Sequence, residues 1–352
     1  MMRIIKKIFK LIAVLVGIIL LIPLSASIYI FTDIWGCSHV VSNEMAAEKV
    51  NQPEMLEKAK TEQAKIPQYH RPEESTFLTF PEWEIVYLSQ EYAHVLDKNL
   101  PSDYPYFSSI SQFWKGYCHA NALSEKYPFN VENHVMIMVI GTSITVEYLI
   151  KGLYENTLGR FSEWTSDNKQ VPEDIYAHKV ASDYAALIPL HPWYEFSFWN
   201  SLKGLWSETT LWGDNAFRKW ERKIILSMEY SFKAFYAWVI EKSTHATFGV
   251  AQMNTMAWVH HFDGKQANQS EIKSLVKIAD GSYLISLPRY QPFTAETIAL
   301  VNKGVEFYDI AGNQIIMLSA IVPKDAALEK GQIAFAFPIL VDPKFTRVAI
   351  IR

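Results

Sequence analysis

EYLIKGLY at residues 147–154 and EYSFKAFY at residues 229–236 are the stretches that organise the middle of this chain. Both follow one pattern, Glu-Tyr-x-x-Lys-small-apolar-Tyr. On an α-helix the Glu, the Lys and the second Tyr stand at i, i+4 and i+7, so they share one face of an otherwise apolar rod. The small residue after each Lys allows another helix to approach closely. The repeat therefore predicts two helices, each with one polar stripe.

These stripes need partners, because an isolated Glu or Lys on an apolar helix is costly to bury. In one interpretation the two helices pack together and their charges interlock in a buried network that fixes their register. In a second, the stripes face a cavity and bind a lipid headgroup or a quinone-like polar end. In a third, Glu147 or Glu229 is a general base beside its Tyr or Lys. The candidate residues for a buried polar network or a ligand site are Glu147, Tyr148, Lys151, Tyr154, Glu229, Tyr230, Lys233 and Tyr236.

The N-terminus has the pattern of a membrane anchor, with four cations before the apolar run Leu11–Phe31. About 20 such residues cross the hydrocarbon core as a helix, and a cationic flank stays in the cytoplasm. We therefore predict that residues 1–32 are a retained transmembrane signal-anchor in a bacterial inner membrane. The bulk of the chain then lies on the periplasmic or outer side. The alternative is a signal peptide cleaved within the small-residue segment 23–27, which exports the same bulk.

The rest of the chain divides into three regions by composition. Residues 33–75 are polar and predict a spacer. Residues 76–249 predict a mainly α-helical, aromatic-rich, membrane-associated domain. Residues 250–352 alternate β-branched runs with turns, including the hairpin signal Asp280-Gly281, and predict a small α+β domain. The predicted fold class is α+β with an N-terminal transmembrane helix.

Two further apolar stretches leave the number of membrane spans open. Val135–Ile150 is short for a span, and Ile224–Ile240 carries Glu229 and Lys233 in its interior. The cations just before the second stretch suit either a cytoplasmic flank or the polar start of an amphipathic helix. They are Arg218, Lys219, Arg222 and Lys223.

Aromatic residues make up 14% of the 352 residues, with 11 Trp, which fits either an aromatic core or belts of Trp and Tyr at a membrane interface. One aromatic stripe, Phe196, Trp199 and Trp206 with Lys203, suits either a headgroup region or a core face. A net charge of −4 without a Lys/Arg stripe argues against nucleic acid. The expected partners are membrane lipid and another membrane protein. Cys37 and Cys118 either pair once or stay free.

The sequence carries no catalytic motif that we recognise. GTSIT at residues 141–145 lacks the closing Gly of a nucleophile elbow. Glu132-x-His134 and His260-His261 offer two metal ligands each, and two ligands do not make a site. We therefore assign no catalytic, metal-binding or cofactor-binding residues and expect no cofactor.

FPEWEIVY at residues 80–87, YENTLGR at 154–160 and RKWER at 218–222 resemble an uncharacterised family of bacterial membrane-anchored proteins. The resemblance implies a bacterial envelope setting and no reaction. The sequence thus predicts a membrane-anchored envelope protein in a non-catalytic structural or complex-partner role. Binding or transfer of a lipid or another apolar ligand is the first alternative. A membrane-bound enzyme with Glu147 or Glu229 as general base is the second.

Overall fold

The computed structural model describes residues 53–247, 253–263, 272–327 and 332–352. It is 58% helical and 17% strand, so the fold class is α+β. The predicted anchor at residues 1–32 and residues 33–52 of the predicted spacer lie outside the described ranges.

Helices form the first part of the chain. In chain order they are α1 (Pro53–Gln63), α2 (Glu74–Glu82), α3 (Glu84–Lys98), α4 (Tyr106–Ser124), α5 (Val131–Tyr154), α6 (Arg160–Trp164), α7 (Pro172–Leu187), α8 (Phe198–Glu208) and α9 (Ala216–Thr247). A π-helical turn, Glu155–Gly159, joins α5 to α6 and makes one long rod of them. Short 3₁₀ turns lie at Pro101–Asp103 and Trp193–Glu195.

Helix α5 begins at a side-chain cap, because Asn130 accepts the backbone N–H of Asn133 at 3.3 Å. It then packs along α4 through small residues. A Cβ at Gly152 would lie 3.0 Å from both Tyr106 and Phe107, so this position must be small. The small residue after Lys151 therefore allows a close approach of α4, not of the helix that carries the second repeat.

Tyrosines and tryptophans form much of the core between α3, α4 and α5. Tyr104, Tyr106 and Tyr148 are buried, and their rings meet edge to face at centroid distances of 5.0–5.6 Å. Trp114 is fully buried, and its indole N–H donates to Thr145 at 2.9 Å. Part of the high aromatic content is therefore ordinary core.

Two antiparallel sheets follow the helices. Sheet A has the strand order β2-β3-β1-β4, and sheet B has the order β5-β7-β6. The strands are β1 (Asn254–His260), β2 (Lys273–Ala279), β3 (Ser282–Pro288), β4 (Glu306–Ile310), β5 (Met317–Pro323), β6 (Gln332–Pro338) and β7 (Phe345–Ile351). Helix α10 (Gln291–Asn302) lies between β3 and β4 in the chain. The hairpin predicted at Asp280-Gly281 is confirmed, since β2 pairs with β3 across that turn.

Both ends of the helical part pack against the sheets. Phe335, Ala349 and Ile351 of sheet B join the buried cluster of α2, α4 and α5. At the other end, Met55 and Ala59 of α1 pack on sheet A. Helix α1 falls within the predicted polar spacer, yet these two apolar residues at i and i+4 give it one buried face. Residues 53–63 are thus part of the folded body.

Candidate functional site

Four residues of the repeat meet in a closed ring of ion pairs between α5 and α9. We call Glu147, Lys151, Glu229 and Lys233 the Glu–Lys ring. Lys151 Nζ lies 3.1 Å from Glu147 and 2.8 Å from Glu229. Lys233 Nζ lies 2.8 Å from Glu147 and 2.9 Å from Glu229. Each charge therefore touches two charges of opposite sign, and the ring as a whole is neutral.

The ring is half-buried, with side-chain exposures from 13% for Lys151 to 35% for Glu147. Burial by itself raises the pKa of Glu229, but Lys151 and Lys233 outweigh it and hold that pKa well below its usual range. Lys151 Nζ also lies 4.7 Å from the centre of the Tyr92 ring, a favourable cation–π position. The ring is thus a set of charged groups held in place.

The four tyrosines of the repeat go to different places. Tyr148 and Tyr230 stand one residue after each Glu and are buried in separate apolar clusters. Tyr154 donates a hydrogen bond to Glu221. Tyr236 lies at the other end of the helix pair, where its hydroxyl is 3.0 Å from Ser143 Oγ and its ring stacks on Trp193.

These contacts show that α5 and α9 run antiparallel. Ser143 meets Tyr236, Glu147 meets Lys233, and Lys151 meets Glu229. Residue numbers rise along α5 in the direction in which they fall along α9. The ring therefore lies on the seam between the two helices.

A second and larger set of charges lies further along the same seam. We call it the buried ion network; it consists of Glu155, Glu163, Glu173, Asp174, Arg218, Lys219, Glu221, Arg222 and Lys223. Arg218 is 0% exposed and lies 3.0 Å from Asp174 and 2.9 Å from Glu221. Arg222 lies 2.8 Å from Glu155 and 3.0 Å from Asp174.

The two lysines of this network share Glu173. Lys219 Nζ donates hydrogen bonds to both carboxylate oxygens of Glu173, at 3.1 and 3.2 Å. Lys223 lies 3.6 Å from the same carboxylate and donates to the carbonyl oxygen of Thr209 at 3.0 Å. Lys219, Lys223 and Glu173 are each no more than 2% exposed.

These cations lie at the start of α9, as in the amphipathic-helix alternative. They are buried, however, because carboxylates from the π-turn, α6 and α7 surround them. Their spacing carries the signal that was missed: Arg218 and Arg222, and likewise Lys219 and Lys223, are four residues apart and so share one face of α9.

The same network explains why two of the segments behind the resemblance contain so many charges. Glu155 of YENTLGR pairs with Arg222 of RKWER, and Arg218 donates to the carbonyl oxygen of Gly159 at 3.4 Å. The FPEWEIVY segment has a partner as well. Arg347 of β7 lies over the rings of Phe80 and Tyr87, at 4.0 and 4.5 Å, and pairs with Glu84.

Large apolar side chains cover the outer side of the helix pair. On each helix the exposed residues stand about 100° from the seam, on the side away from the core. Because the helices are antiparallel and both cores lie on the same side of the pair, both exposed sides point the same way. This apolar face includes Val135, Val139, Ile150, Leu153, Leu158, Phe161 and Trp164 from α5 to α6, and Phe217, Ile224, Met228, Phe232, Phe235 and Trp238 from α9.

The predicted aromatic stripe on α8 is also exposed in part. Trp199 and Trp206 are 55% and 45% exposed, and Lys203 Nζ lies 5.9 Å from the Trp199 ring centre. The core side of this helix is formed instead by Phe198 and Leu205. Phe196, just before α8, packs against the same core cluster. The stripe thus combines one residue that contacts the core with two exposed tryptophans.

A groove of about 570 Å³ opens at the N-terminal end of α5. Its lining consists of Tyr117, Phe129, Val131, His134, Val135, Met138, Val139, Thr142, Ser143 and Tyr236. The volume is in the range of small-molecule sites. Tyr236 is the one repeat residue that lines it.

His134 lies in the groove wall and is held by two buried partners. Its Nε2 is 2.8 Å from Glu74 and its Nδ1 is 2.9 Å from the Tyr117 hydroxyl. Burial, and then the charge of Glu74, raise the pKa of Tyr117, so this hydroxyl stays neutral. Because both ring nitrogens are occupied, His134 offers the groove its ring and not a free nitrogen.

Within the described residues, the rod Val131–Trp164 is long and apolar enough to cross a membrane, and 33% of its most apolar window is buried. No protein-family model, curated protein or solved structure matches this chain. The fold and the contacts above therefore carry the functional argument.

Proposed function

We propose that this chain is a membrane-anchored envelope protein with a non-catalytic role, and that its helical part lies on the outer surface of the membrane through the apolar face. One observation carries the proposal. Side chains such as Trp164, Met228 and Phe232 are 69%, 65% and 65% exposed on adjacent helices. Many large apolar side chains exposed on one side of a protein mark an interaction site.

Energetics support contact with lipid. Moving one large apolar side chain from water into hydrocarbon contributes about 1.5–3 kcal/mol. A few residues of the apolar face are therefore enough for stable contact. The Glu–Lys ring beneath it is neutral as a whole, which lowers the cost of covering its charges with lipid.

The rod Val131–Trp164 fits a helix that lies along the membrane better than one that crosses it. Its 34 residues extend for about 51 Å, whereas the hydrocarbon core is about 30 Å thick. In addition, one side of the rod packs on α4, and its far end holds the buried ion network. Exposed Trp164, Trp199 and Trp212 suit the headgroup level, where Trp is enriched.

The sequence supports the anchor and the compartment. The apolar run Leu11–Phe31 follows cations, which favours an anchored chain with its bulk outside the cytoplasm. Cys118 is disulfide-bonded, which favours an oxidising compartment. Cys37, the only other cysteine of the sequence, lies outside the described residues.

We give less weight to an enzyme that uses Glu147 or Glu229 as general base. Each carboxylate is already paired with two lysines. A general base needs a free lone pair and a pKa near the working pH, whereas the pKa of Glu229 is held well below its usual range.

Site-specific photocrosslinking tests the membrane contact. A diazirine amino acid is placed at Leu153 or Phe232 of the apolar face, in the full chain in its native membrane. Matched controls carry the probe at Ile298 and Ile321, which are 56% and 58% exposed but lie on α10 and β5. We expect lipid adducts at the first two positions and none at the controls.

Two outcomes would contradict the proposal. Equal lipid labelling at all four positions would show that the apolar face is not the side that contacts the membrane. Protein adducts alone at Leu153 and Phe232 would assign the apolar face to a partner protein. The compartment is tested separately with a reporter enzyme that is active only outside the cytoplasm, fused after Arg352. We expect it to be active.

A further inference from the structure

We propose that the groove at the N-terminal end of α5 binds one acyl chain of a membrane lipid. This inference rests on the membrane contact proposed above and adds a specific site to it. The groove is separate from the Glu–Lys ring and from the buried ion network.

The lining defines the chemistry of the occupant. Phe129, Val135, Met138 and Val139 provide apolar walls, and no Asp, Glu, Lys or Arg is among the described residues that line the groove. The ring of His134 stacks on Phe129 at a centroid distance of 4.2 Å, and its nitrogens are used by Glu74 and Tyr117. A site of this kind favours an uncharged, apolar chain over a charged headgroup.

The polar groups lie at opposite ends of the groove. Thr142, Ser143 and Tyr236 supply hydroxyls at one end, and Ser143 is nine residues from His134, or about 13 Å along the helix. An acyl chain can lie along the apolar stretch between them. The hydroxyl end then suits the uncharged ester region of the lipid.

The position of the groove identifies the source of the chain. Val131, Val135 and Val139 line the groove and are 61%, 54% and 48% exposed. They therefore also belong to the end of the apolar face at which α5 begins. A groove that opens there opens toward the lipid. The bilayer is thus the nearest reservoir of apolar chains.

The test measures lipid that stays bound after extraction. The full chain is expressed in bacterial membranes, extracted into detergent, diluted repeatedly in detergent, and weighed by native mass spectrometry. Lipids that merely face the bilayer exchange during dilution, whereas a lipid in the groove remains. We expect one phospholipid per chain, and incubation with free palmitate should not replace it.

Two matched substitutions locate the site. Val139→Trp fills the groove from a half-exposed position. Ile150→Trp adds the same side chain on the same face of α5 outside the groove, at a position that is 46% exposed. We expect Val139→Trp to lower lipid retention at least tenfold and Ile150→Trp to leave it unchanged, with equal thermal melts.

Several results would overturn the inference. These are equal retention in the two variants, equal loss in both, a retained molecule without an acyl chain, or wild-type protein that retains no lipid. Palmitate that replaces the phospholipid would reassign the site to a free fatty acid. Crosslinking at Phe232 keeps the two proposals apart, because lipid adducts there support the membrane contact even if the groove proves empty.

Discussion

The Glu–Lys ring and the buried ion network lie on the same seam between α5 and α9, but they differ in how they handle charge. The ring has four charges from two helices and stays 13–35% exposed. The network gathers nine charges from the π-turn, α6, α7 and α9, and its arginines are no more than 1% exposed. The charged groups of the ring are exposed enough to interact with water or lipid headgroups as well as with one another. The cations of the network are buried and interact only within the protein.

This difference separates two roles of charge in one interface. A buried pair costs several kcal/mol per ion to desolvate, so the network is not by itself evidence of high stability. Its many partners fix instead the positions of α6, α7 and α9 relative to one another. The half-buried ring fixes the register of α5 against α9 beneath the apolar face.

The largest expected effect comes from breaking the network. Arg222→Met removes the guanidinium group that lies 2.8 Å from Glu155 and 3.0 Å from Asp174. Removing one partner of a buried pair typically costs about 3–5 kcal/mol, so we expect a large fall in melting temperature or no folded protein. Arg160→Met is the matched control, since Arg160 is exposed. Equal melts of the two variants in detergent would contradict the assignment.

A buried carboxyl that forms no ion pair with any described residue should respond to pH. Glu91 accepts hydrogen bonds from Tyr87 and Tyr104 at 3.1 and 3.2 Å, and burial raises its pKa from 4.5 to about 7. The folded state thus holds the proton more tightly than the unfolded state. This stabilisation, about 3 kcal/mol at most, is fully present below pH 4.5 and is lost as pH rises through about 7.

Glu91→Gln isolates this effect from other titrations. We expect the wild-type melting temperature to fall relative to the variant between pH 5 and pH 8. Thermal melts of both proteins at several pH values measure the difference. Parallel curves would show that the Glu91 carboxyl does not titrate in this range.

Breaking the ring should cost less than breaking the network. Lys151→Met leaves Glu147 and Glu229 to share Lys233, and because the ring is partly solvated we expect a loss of about 1–2 kcal/mol. Reversing all four charges, E147K/K151E/E229K/K233E, keeps opposite signs adjacent around the ring. This variant should recover most of the loss in thermal melts. A quadruple variant less stable than Lys151→Met would show that alternation of charge is not what holds the helices in register.

The smallest effect is expected at the surface. Lys277 and Asp280 form an ion pair at 2.7 Å, but their side chains are 54% and 100% exposed. Exposed pairs contribute little, because water solvates both charges in either state. Asp280→Asn should leave the melting temperature unchanged within error. A clear drop in melting temperature would mean that the exposure of a charged pair does not predict how much the pair contributes to stability.

Some of this molecule follows from local pattern alone. The spacing of Glu147, Lys151, Glu229 and Lys233 places charges on single faces of two apolar helices, which must find partners because isolated charges are expensive to bury. The Asp280-Gly281 hairpin likewise depends on neighbouring residues. Tyr148 and Tyr230 were grouped with the polar candidates, but a residue one position after Glu points about 100° away from it, and both rings lie in apolar clusters.

Tertiary structure decided the rest. Arg218 and Arg222 look like surface cations in sequence, because their carboxylate partners Glu155 and Asp174 lie 67 and 44 residues away. The groove around His134 arises only where α4, α5 and α9 come together. Sequence determines which side chains need a partner, since that depends on the free energy of each group in water. Which partner they meet depends on how the helices pack, and this is set by contacts between residues far apart in the chain.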